Sequence, residues 1–267
     1  MKKYELTDET MTVDEVTYHR IRACKDFDVQ GYHVKAGDLG GYVESEYNID
    51  QDRNAWVGGL ARIGGHAVIR DNARVCGNSH VRGHAVIGGH AWIGDNAWIG
   101  GHAVIRDNAW IGDNARIGDN AWIGDNAVIR DNAWIGDNAV IRDNVAISGH
   151  AVIGGHAWIG DNAVIGGHAV ISGHAVIGGH AWIGDNAEVR KPSHIIVISP
   201  IGSRDDCTTF CRSKDNDIIV KCGCFNGNIS EFLEKVNKTH GDNKYAAEYR
   251  AAAELAKIHI DLEGETE

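Results

Sequence analysis

A six-residue period dominates this sequence and constrains its fold more than any other feature. From residue 54 to residue 191 the chain divides without insertion or deletion into 23 hexads, such as NAWIGD, NAVIRD and HAVIGG. The fourth place of every hexad is Ile or Val, and the second place is Ala in all but two, Ser79 and Val145. An apolar residue every six positions fits neither a helix nor a hairpin strand. A repeat array of short strands and corners is therefore expected.

The hexads also predict how the chain closes on itself. If each hexad forms one strand and one corner, three hexads make a triangular coil, and successive coils stack about 4.8 Å apart. Ile and Ala then point inward, while Trp and the other third-place residues point outward. Gly or Asp followed by Asn or His occupies each corner, where one residue takes a left-handed backbone conformation. The prediction is an all-β solenoid with about eight coils of roughly 18 residues each.

The hexad order resembles the hexapeptide repeat of left-handed parallel β-helix proteins. That resemblance implies left-handed coiling, an exception to the usual right-handed crossover. The flanks HRIRACKDFDVQGYHVKAGDLGGYVESEYNI and ISPIGSRDDCTTFCRSKDNDIIVKCGCFNG are similar to those of bacterial and prophage-associated hexapeptide-repeat proteins of unknown function. The near-verbatim reuse of a few hexads departs from that family and indicates an idealised or repeat-expanded version.

Three segments follow from the position of the repeat. Residues 1–47 are predicted to form an N-terminal β cap, with strands around Tyr4 and from Val16 to Ala23. Residues 48–191 form the left-handed triangular β-helix. Residues 192–267 are predicted to form a small α/β cap that contains a β-hairpin and two helices.

The expected C-terminal cap has a definite order of elements. A strand covers Ile195 to Ile201, and CTTFCR and IIVKCG flank a KDND turn. Helices are expected over 228–238 and 244–258, the first capped by Ser230.

One outward column of the predicted solenoid carries no charge. An apolar column that runs over seven coils exceeds the apolar surface that soluble monomers usually expose. We therefore expect this column to be an interface in a homo-oligomer, either a dimer or a trimer. The outward column on another side of the triangular coil is interrupted by the polar or charged residues Arg62, His80, Arg116 and Glu188. The uncharged column, called the Val/Trp strip below, consists of Val68, Val86, Val104, Trp122, Val140, Trp158 and Val176.

Three groups of residues could supply metal ligands, but no metal site is favoured. His66, His84 and His102 recur every 18 residues and should stack on one edge. Asp107, Asp125, Asp143 and Asp161 form a similar column, for which neighbouring Arg106 and Arg142 are the expected charge partners rather than a cation. In the C-terminal hairpin, pairing across KDND would place Cys207 opposite Cys224 and Cys222 diagonal to Cys211, but their spacing is unusual for zinc.

Charge and hydropathy limit the partners. The net charge is −11, and no basic stripe suggests nucleic-acid binding. No apolar run is long enough for a membrane span, and the start lacks the apolar run of a secretory signal, so a cytoplasmic protein is expected. Six Cys without an export signal suggest reduced thiols.

Three functions remain open at this point. The first is a structural or protein-binding scaffold with no catalytic residue and no cofactor. The second is acyl transfer from an acyl-CoA-type donor, which well-known hexapeptide-repeat enzymes perform. Those enzymes usually interrupt their coils with a loop, whereas residues 54–191 contain no insertion. The third is a solenoid that binds zinc or calcium. The first is the preferred interpretation, and whether the protein is an enzyme is left open.

Overall fold

The computed structural model describes residues 2–263, which fall into two compact units divided after Asp143. Each unit is described by itself. In both units the hexads form two-residue parallel strands at the third and fourth places, and within a unit each strand pairs with a strand 18 residues before or after it. This confirms the predicted fold, a left-handed parallel β-helix of 18-residue coils. The division of the chain at residues 47 and 191 stays a prediction.

The first unit begins with five longer strands. They are β1 (Tyr4–Val13), β2 (Val16–Ala23), β3 (Phe27–Val29), β4 (Tyr32–Val34) and β5 (Leu39–Val43). A short 3-10 helix at Glu46–Asn48 then leads into the coils.

Strands β6 to β20 of the first unit follow in three parallel sheets, one for each side of the triangular coil. The first sheet contains β6 (Trp56–Val57), β9 (Arg74–Val75), β12 (Trp92–Ile93), β15 (Trp110–Ile111) and β18 (Val128–Ile129). The second contains β7 (Arg62–Ile63), β10 (His80–Val81), β13 (Trp98–Ile99), β16 (Arg116–Ile117) and β19 (Trp134–Ile135). The third contains β8 (Val68–Ile69), β11 (Val86–Ile87), β14 (Val104–Ile105), β17 (Trp122–Ile123) and β20 (Val140–Ile141).

The core of the coils consists of the second and fourth hexad places. Ala103 and Ile105 are typical, because neither exposes any surface to solvent. Each buried Ile contributes on the order of 2 kcal/mol through the removal of apolar surface from water. The corners take the expected left-handed conformation at the sixth place, as at Gly89 (φ 64°) and Asp107 (φ 59°). The hexad therefore assigns one structural role to each of its places.

The N-terminal strands close one end of the first unit. Strand β2 pairs antiparallel with β5, and β5 pairs parallel with β7 of the second sheet. Lys3 is fully buried, and its ammonium donates to the carbonyl oxygens of Asp50, Arg53 and Ala55. Burial lowers the pKa of Lys3 to about 8. Backbone acceptors at the end of the solenoid are thus satisfied by a side chain from the cap.

Strands β3 and β4 cover part of the first sheet. Trp56 was expected outside the solenoid, but its side chain is only 2% exposed because the Phe27 ring packs against it with the centroids 5.5 Å apart. Tyr32 lies beside the Arg74 guanidinium in the same way, at 4.5 Å. Trp110 further along that sheet is 38% exposed, as predicted.

The second unit contains eight more strands of the repeat, β21 to β28. They are β21 (Ala146–Ile147), β22 (Val152–Ile153), β23 (Trp158–Ile159), β24 (Val164–Ile165), β25 (Val170–Ile171), β26 (Val176–Ile177), β27 (Trp182–Ile183) and β28 (Glu188–Val189). After a 3-10 turn at Pro192–His194 comes an antiparallel sheet of β29 (Ile195–Ile201), β30 (Asp206–Arg212), β31 (Ile218–Cys222) and β32 (Phe225–Asn228). A further 3-10 turn, Gly202–Arg204, joins β29 to β30.

Two helices complete the second unit, α1 (Ile229–His240) and α2 (Lys244–His259). The predicted cap of α1, Ser230, is wrong: Asn228 caps the helix by accepting from the backbone of Glu231, whose carboxylate accepts in return from the Asn228 backbone. Phe232 of α1 and Tyr249 of α2 pack edge to face over the sheet. Neither of these helices has the length and apolar composition that a membrane crossing requires.

Candidate functional site

In the first unit, the Val/Trp strip consists of side chains on five adjacent strands of the third sheet. Val68, Val86, Val104, Trp122 and Val140 are all partly exposed, and their backbones pair in register from coil to coil. Four spacings between neighbouring strands give this part of the strip a length of about 19 Å. The structure thus places these five apolar side chains in one uncharged row at the surface.

The second unit holds the remaining two residues of the strip. Trp158 pairs with Val176 in the strand register, and Val176 is 51% exposed. These two side chains also form an uncharged outward row on neighbouring coils.

Four Trp rings in the outward columns lie close to the glycine two residues later, those of Trp92, Trp98, Trp122 and Trp134. All eight Trp of the chain are followed by Gly at that distance. A Cβ at Gly94 would lie 2.5 Å from the Trp92 ring, and one at Gly124 would lie 3.0 Å from the Trp122 ring. These indoles therefore lie flat over the fifth hexad place, which gives the surface low relief.

The corner histidines stack as the 18-residue period predicts. The ring centroids of His66 and His84 are 4.8 Å apart, and those of His84 and His102 are 4.7 Å apart with nearly parallel planes. In the second unit, His150 and His168 stack at 5.0 Å. Stacked rings bring their faces together, whereas metal ligation requires ring nitrogens to converge on one point. Among residues 2–263, no group of three or more His, Cys, Asp or Glu is placed to hold a metal ion.

The corner aspartates receive backbone hydrogen bonds from the next coil. The amide of Asp125 donates to the carboxylate of Asp107 at 3.2 Å, and in the second unit the amide of Gly179 donates to Asp161 at 2.8 Å. Relief of the Asp107 charge by Arg106 was expected, and this is wrong: the carboxylate is bound by a peptide N–H instead. The Asp corner is therefore a device that links successive coils.

The cysteines of the C-terminal hairpin do not converge. Thr208 pairs with Cys222 and Cys211 with Ile219, so the expected pairing of Cys207 with Cys224 is wrong by one residue. A slip of one residue moves a side chain to the other face of a strand. Cys222 thus shares a face with Thr208, while Cys207 and Cys211 project from the opposite face.

Each thiol has its own surroundings in this hairpin. Cys211 is buried, and burial raises the pKa of its thiol to about 12. The Cys222 sulfur accepts a hydrogen bond from the Thr208 hydroxyl at 3.2 Å, beside a cavity of about 180 Å³ that Tyr249 also lines. Cys224 is exposed. A free Cys that is buried, or that has no second thiol beside it, usually behaves as a small apolar side chain.

The sequence pattern identified a further group of residues only as an interruption of an apolar face. The outward positions of the second sheet hold Arg62, His80, Trp98, Arg116 and Trp134, here called the groove column. Together with Arg82 they line an open groove of about 630 Å³ in the first unit. Their shared signal in the sequence is an 18-residue spacing, which had identified Arg62, His80 and Arg116 only as interruptions of an apolar face.

Comparisons with known proteins extend over parts of the chain. Residues 99–201 match a family model described as the GMPPB C-terminal domain, which is less than half of the 267 residues. The chain is similar to a solved structure of the UDP-N-acetylglucosamine acyltransferase from Campylobacter jejuni, with 19% identity, a TM-score of 0.31, and coverage of 85% of this chain and 90% of that chain. No curated protein matches the sequence. A likeness at this level carries no conclusion about the activity of this chain.

Proposed function

We propose that this protein is a structural or protein-binding β-solenoid that associates with a second copy of itself through the Val/Trp strip. The observation that carries the proposal is the row of five partly exposed, uncharged side chains in the first unit, from Val68 to Val140. Removal of such a row from water is the main source of free energy in protein association. The scaffold needs no catalytic residue and no cofactor.

The edges of this row suit a second copy of the same chain. The corner that follows the strip carries both signs of charge, with Arg70 beside Asp71 and Arg106 beside Asp107. In a two-fold interface the same surface meets itself, so an edge of mixed charge can pair each sign with its opposite. The Arg142 guanidinium lies over one face of the Trp122 indole, 4.8 Å from the ring centroid, and adds a positive charge at this edge.

We include in this proposal the resemblance of the flanking segments to bacterial and prophage-associated hexapeptide-repeat proteins. In that setting a scaffold with a regular surface presents the same contacts repeatedly. A host protein that binds the edges of the coils would then be a second kind of partner.

Sedimentation velocity at micromolar concentration tests the self-association. The double variant Val104→Lys/Trp122→Lys places two charges on neighbouring coils of the strip and should give a folded monomer, because neither side chain enters the core. The matched control Trp110→Lys/Val128→Lys makes the same two changes on neighbouring coils of the first sheet and should remain an oligomer. A monomeric wild-type protein, or a control that dissociates while the strip variant does not, would contradict the proposal.

A further inference from the structure

We propose that the groove of the first unit binds a diphosphate group, either free or esterified to an organic molecule. This inference does not depend on self-association, because the groove column and the Val/Trp strip belong to different sheets. It rests on the charge, the unpaired donors and the spacing of the residues that line the groove.

The groove concentrates positive charge in a chain whose net charge is −11. Arg62, Arg82 and Arg116 all line it. Among residues 2–263, no carboxylate lies within ion-pair distance of any of these three guanidinium groups. Arg82 instead lies over the Trp98 ring, 5.1 Å from its centroid. Three guanidinium groups without carboxylate partners create a local potential that attracts anions.

Two buried nitrogens beside the groove lack hydrogen-bond partners. These are Nε of Arg62 and Nε2 of His80. A buried polar atom without a partner is costly and is uncommon in folded proteins. Phosphoryl oxygens are strong acceptors, and a guanidinium can present two N–H groups to them at once. A small adjustment of Arg62 on binding would satisfy a donor that the protein leaves unpaired.

The strand register spaces the two arginines of the groove column for a ligand with more than one phosphoryl group. His80 pairs directly with Arg62, so their side chains leave the sheet on adjacent coils. Arg116 lies three coils from Arg62, which is about 14 Å at the usual strand spacing. Arg62 and Arg116 can therefore each reach one phosphoryl group of a diphosphate, whereas a single phosphate would contact only one of these two arginines.

Neutral groups complete the groove. The corner amides of Asn78 and Asn96 line it, and the Asn78 amide donates to the Asn96 side chain at 3.3 Å. Trp134 is 38% exposed at the far end. Its ring offers an apolar surface to the organic part of an esterified diphosphate.

Isothermal titration calorimetry of the full-length protein with sodium pyrophosphate tests the site. One pyrophosphate should bind per chain, and inorganic phosphate should bind more weakly. Arg62→Gln and Arg116→Gln should each weaken pyrophosphate binding by about tenfold or more, the usual effect of losing a charge-assisted hydrogen bond. Arg130→Gln is the matched control, since Arg130 is an exposed arginine of the same unit that does not line the groove. Circular dichroism checks that each variant remains folded.

Further ligands separate the possible sources of the diphosphate. If ADP binds more tightly than pyrophosphate and Trp134→Ala removes that difference, the site takes an esterified diphosphate. If ADP and pyrophosphate bind equally, it takes the free anion. The proposal is wrong if pyrophosphate does not bind at millimolar concentration, if Arg130→Gln weakens binding as much as Arg62→Gln, or if a tricarboxylate such as citrate binds as tightly as pyrophosphate.

Discussion

The groove column and the Val/Trp strip of the first unit have the same backbone and different surfaces. Both occupy the third hexad place, both consist of two-residue parallel strands, and both lie outside a fully buried row of Ile or Val. One column exposes Arg62, His80 and Arg116, while the other exposes mainly Val. The comparison shows that the solenoid separates its structural positions from its surface positions, so that the third place can change without affecting the core.

That separation has a physical origin in the strand. Successive side chains of a strand point to opposite faces, so the fourth-place Ile points inward wherever the third-place residue points outward. The core consequently has the same composition behind a cationic groove as behind an apolar strip. Three experiments test how complete this separation is.

The largest expected effect is in the core, and it should be the same behind both columns. Ile99 lies behind the groove column and Ile105 behind the strip, and neither is exposed. Replacement of either by Ala should lower the free energy of unfolding by about 2 to 5 kcal/mol through lost burial and a residual cavity. Urea denaturation followed by Trp fluorescence measures both variants. The comparison fails if the two losses differ by more than about 1 kcal/mol, since the surface column would then contribute to core stability.

Much of this architecture was predictable because each hexad place has one role. The buried Ile row, the left-handed corners and the stacking of His66 on His84 all follow from a period of 18 residues. The C-terminal strands and helices, which lie outside the repeat, were located from strand, turn and helix-start signals instead. The cap of α1 was missed although its signal is present, because Asn228 is followed three residues later by Glu231, a pair that forms a capping box.

Contacts between elements distant in sequence were not predictable from the period. Nothing in the repeat indicates that Phe27 covers Trp56, or that the Tyr18 ring packs edge to face with the imidazole of His80. The hairpin register was wrong by one residue because the exact length of the KDND turn decides which Cys face each other. The groove was missed because Arg62, His80 and Arg116 were interpreted as interruptions of an apolar face, and Arg82, which also lines the groove, lies outside that column.

A smaller effect is expected at the fifth hexad place, where the two columns can be compared directly. A Cβ at Gly100 would lie 2.6 Å from the Trp98 ring, and one at Gly124 would lie 2.9 Å from an Asp107 carboxylate oxygen and 3.0 Å from the Trp122 ring. Gly100→Ala should therefore cost about 1 kcal/mol or more as the indole is displaced, and Gly124→Ala should cost less. Gly118→Ala, which meets nothing closer than 3.9 Å, is the control and should be neutral or slightly stabilising.

Urea denaturation and the Trp emission wavelength report these glycine variants together. Displacement of Trp98 should also disturb Arg82, which lies over that ring. Equal behaviour of Gly100→Ala and Gly118→Ala would show that the indole does not need the space that glycine leaves.

The smallest expected effect is a pH dependence of stability that arises in the groove column. The pKa of His80 is lowered from its ordinary value of 6.5, first by burial and then by the charges of Arg62 and Arg82, while Asp14 opposes the shift. The Tyr18 ring packs edge to face with the same imidazole. Because the folded protein resists protonation of His80 more than the unfolded chain does, stability from this group is complete above pH 6.5 and declines as the pH falls through the lowered pKa. No third-place residue of the Val/Trp strip titrates.

Two variants isolate this contribution of His80. His80→Gln should remove part of the loss of stability that the wild-type protein shows below pH 6.5. Above pH 6.5, the variant and the wild-type protein should show nearly the same pH dependence of stability. Arg62→Gln should move the pKa of His80 back toward 6.5, because one of the two cations that lower it is gone, and a titration of the imidazole by NMR measures that pKa directly. If His80 titrates at 6.5 or above in the wild-type protein, the imidazole is not in the desolvated, cationic environment that distinguishes the groove column from the strip.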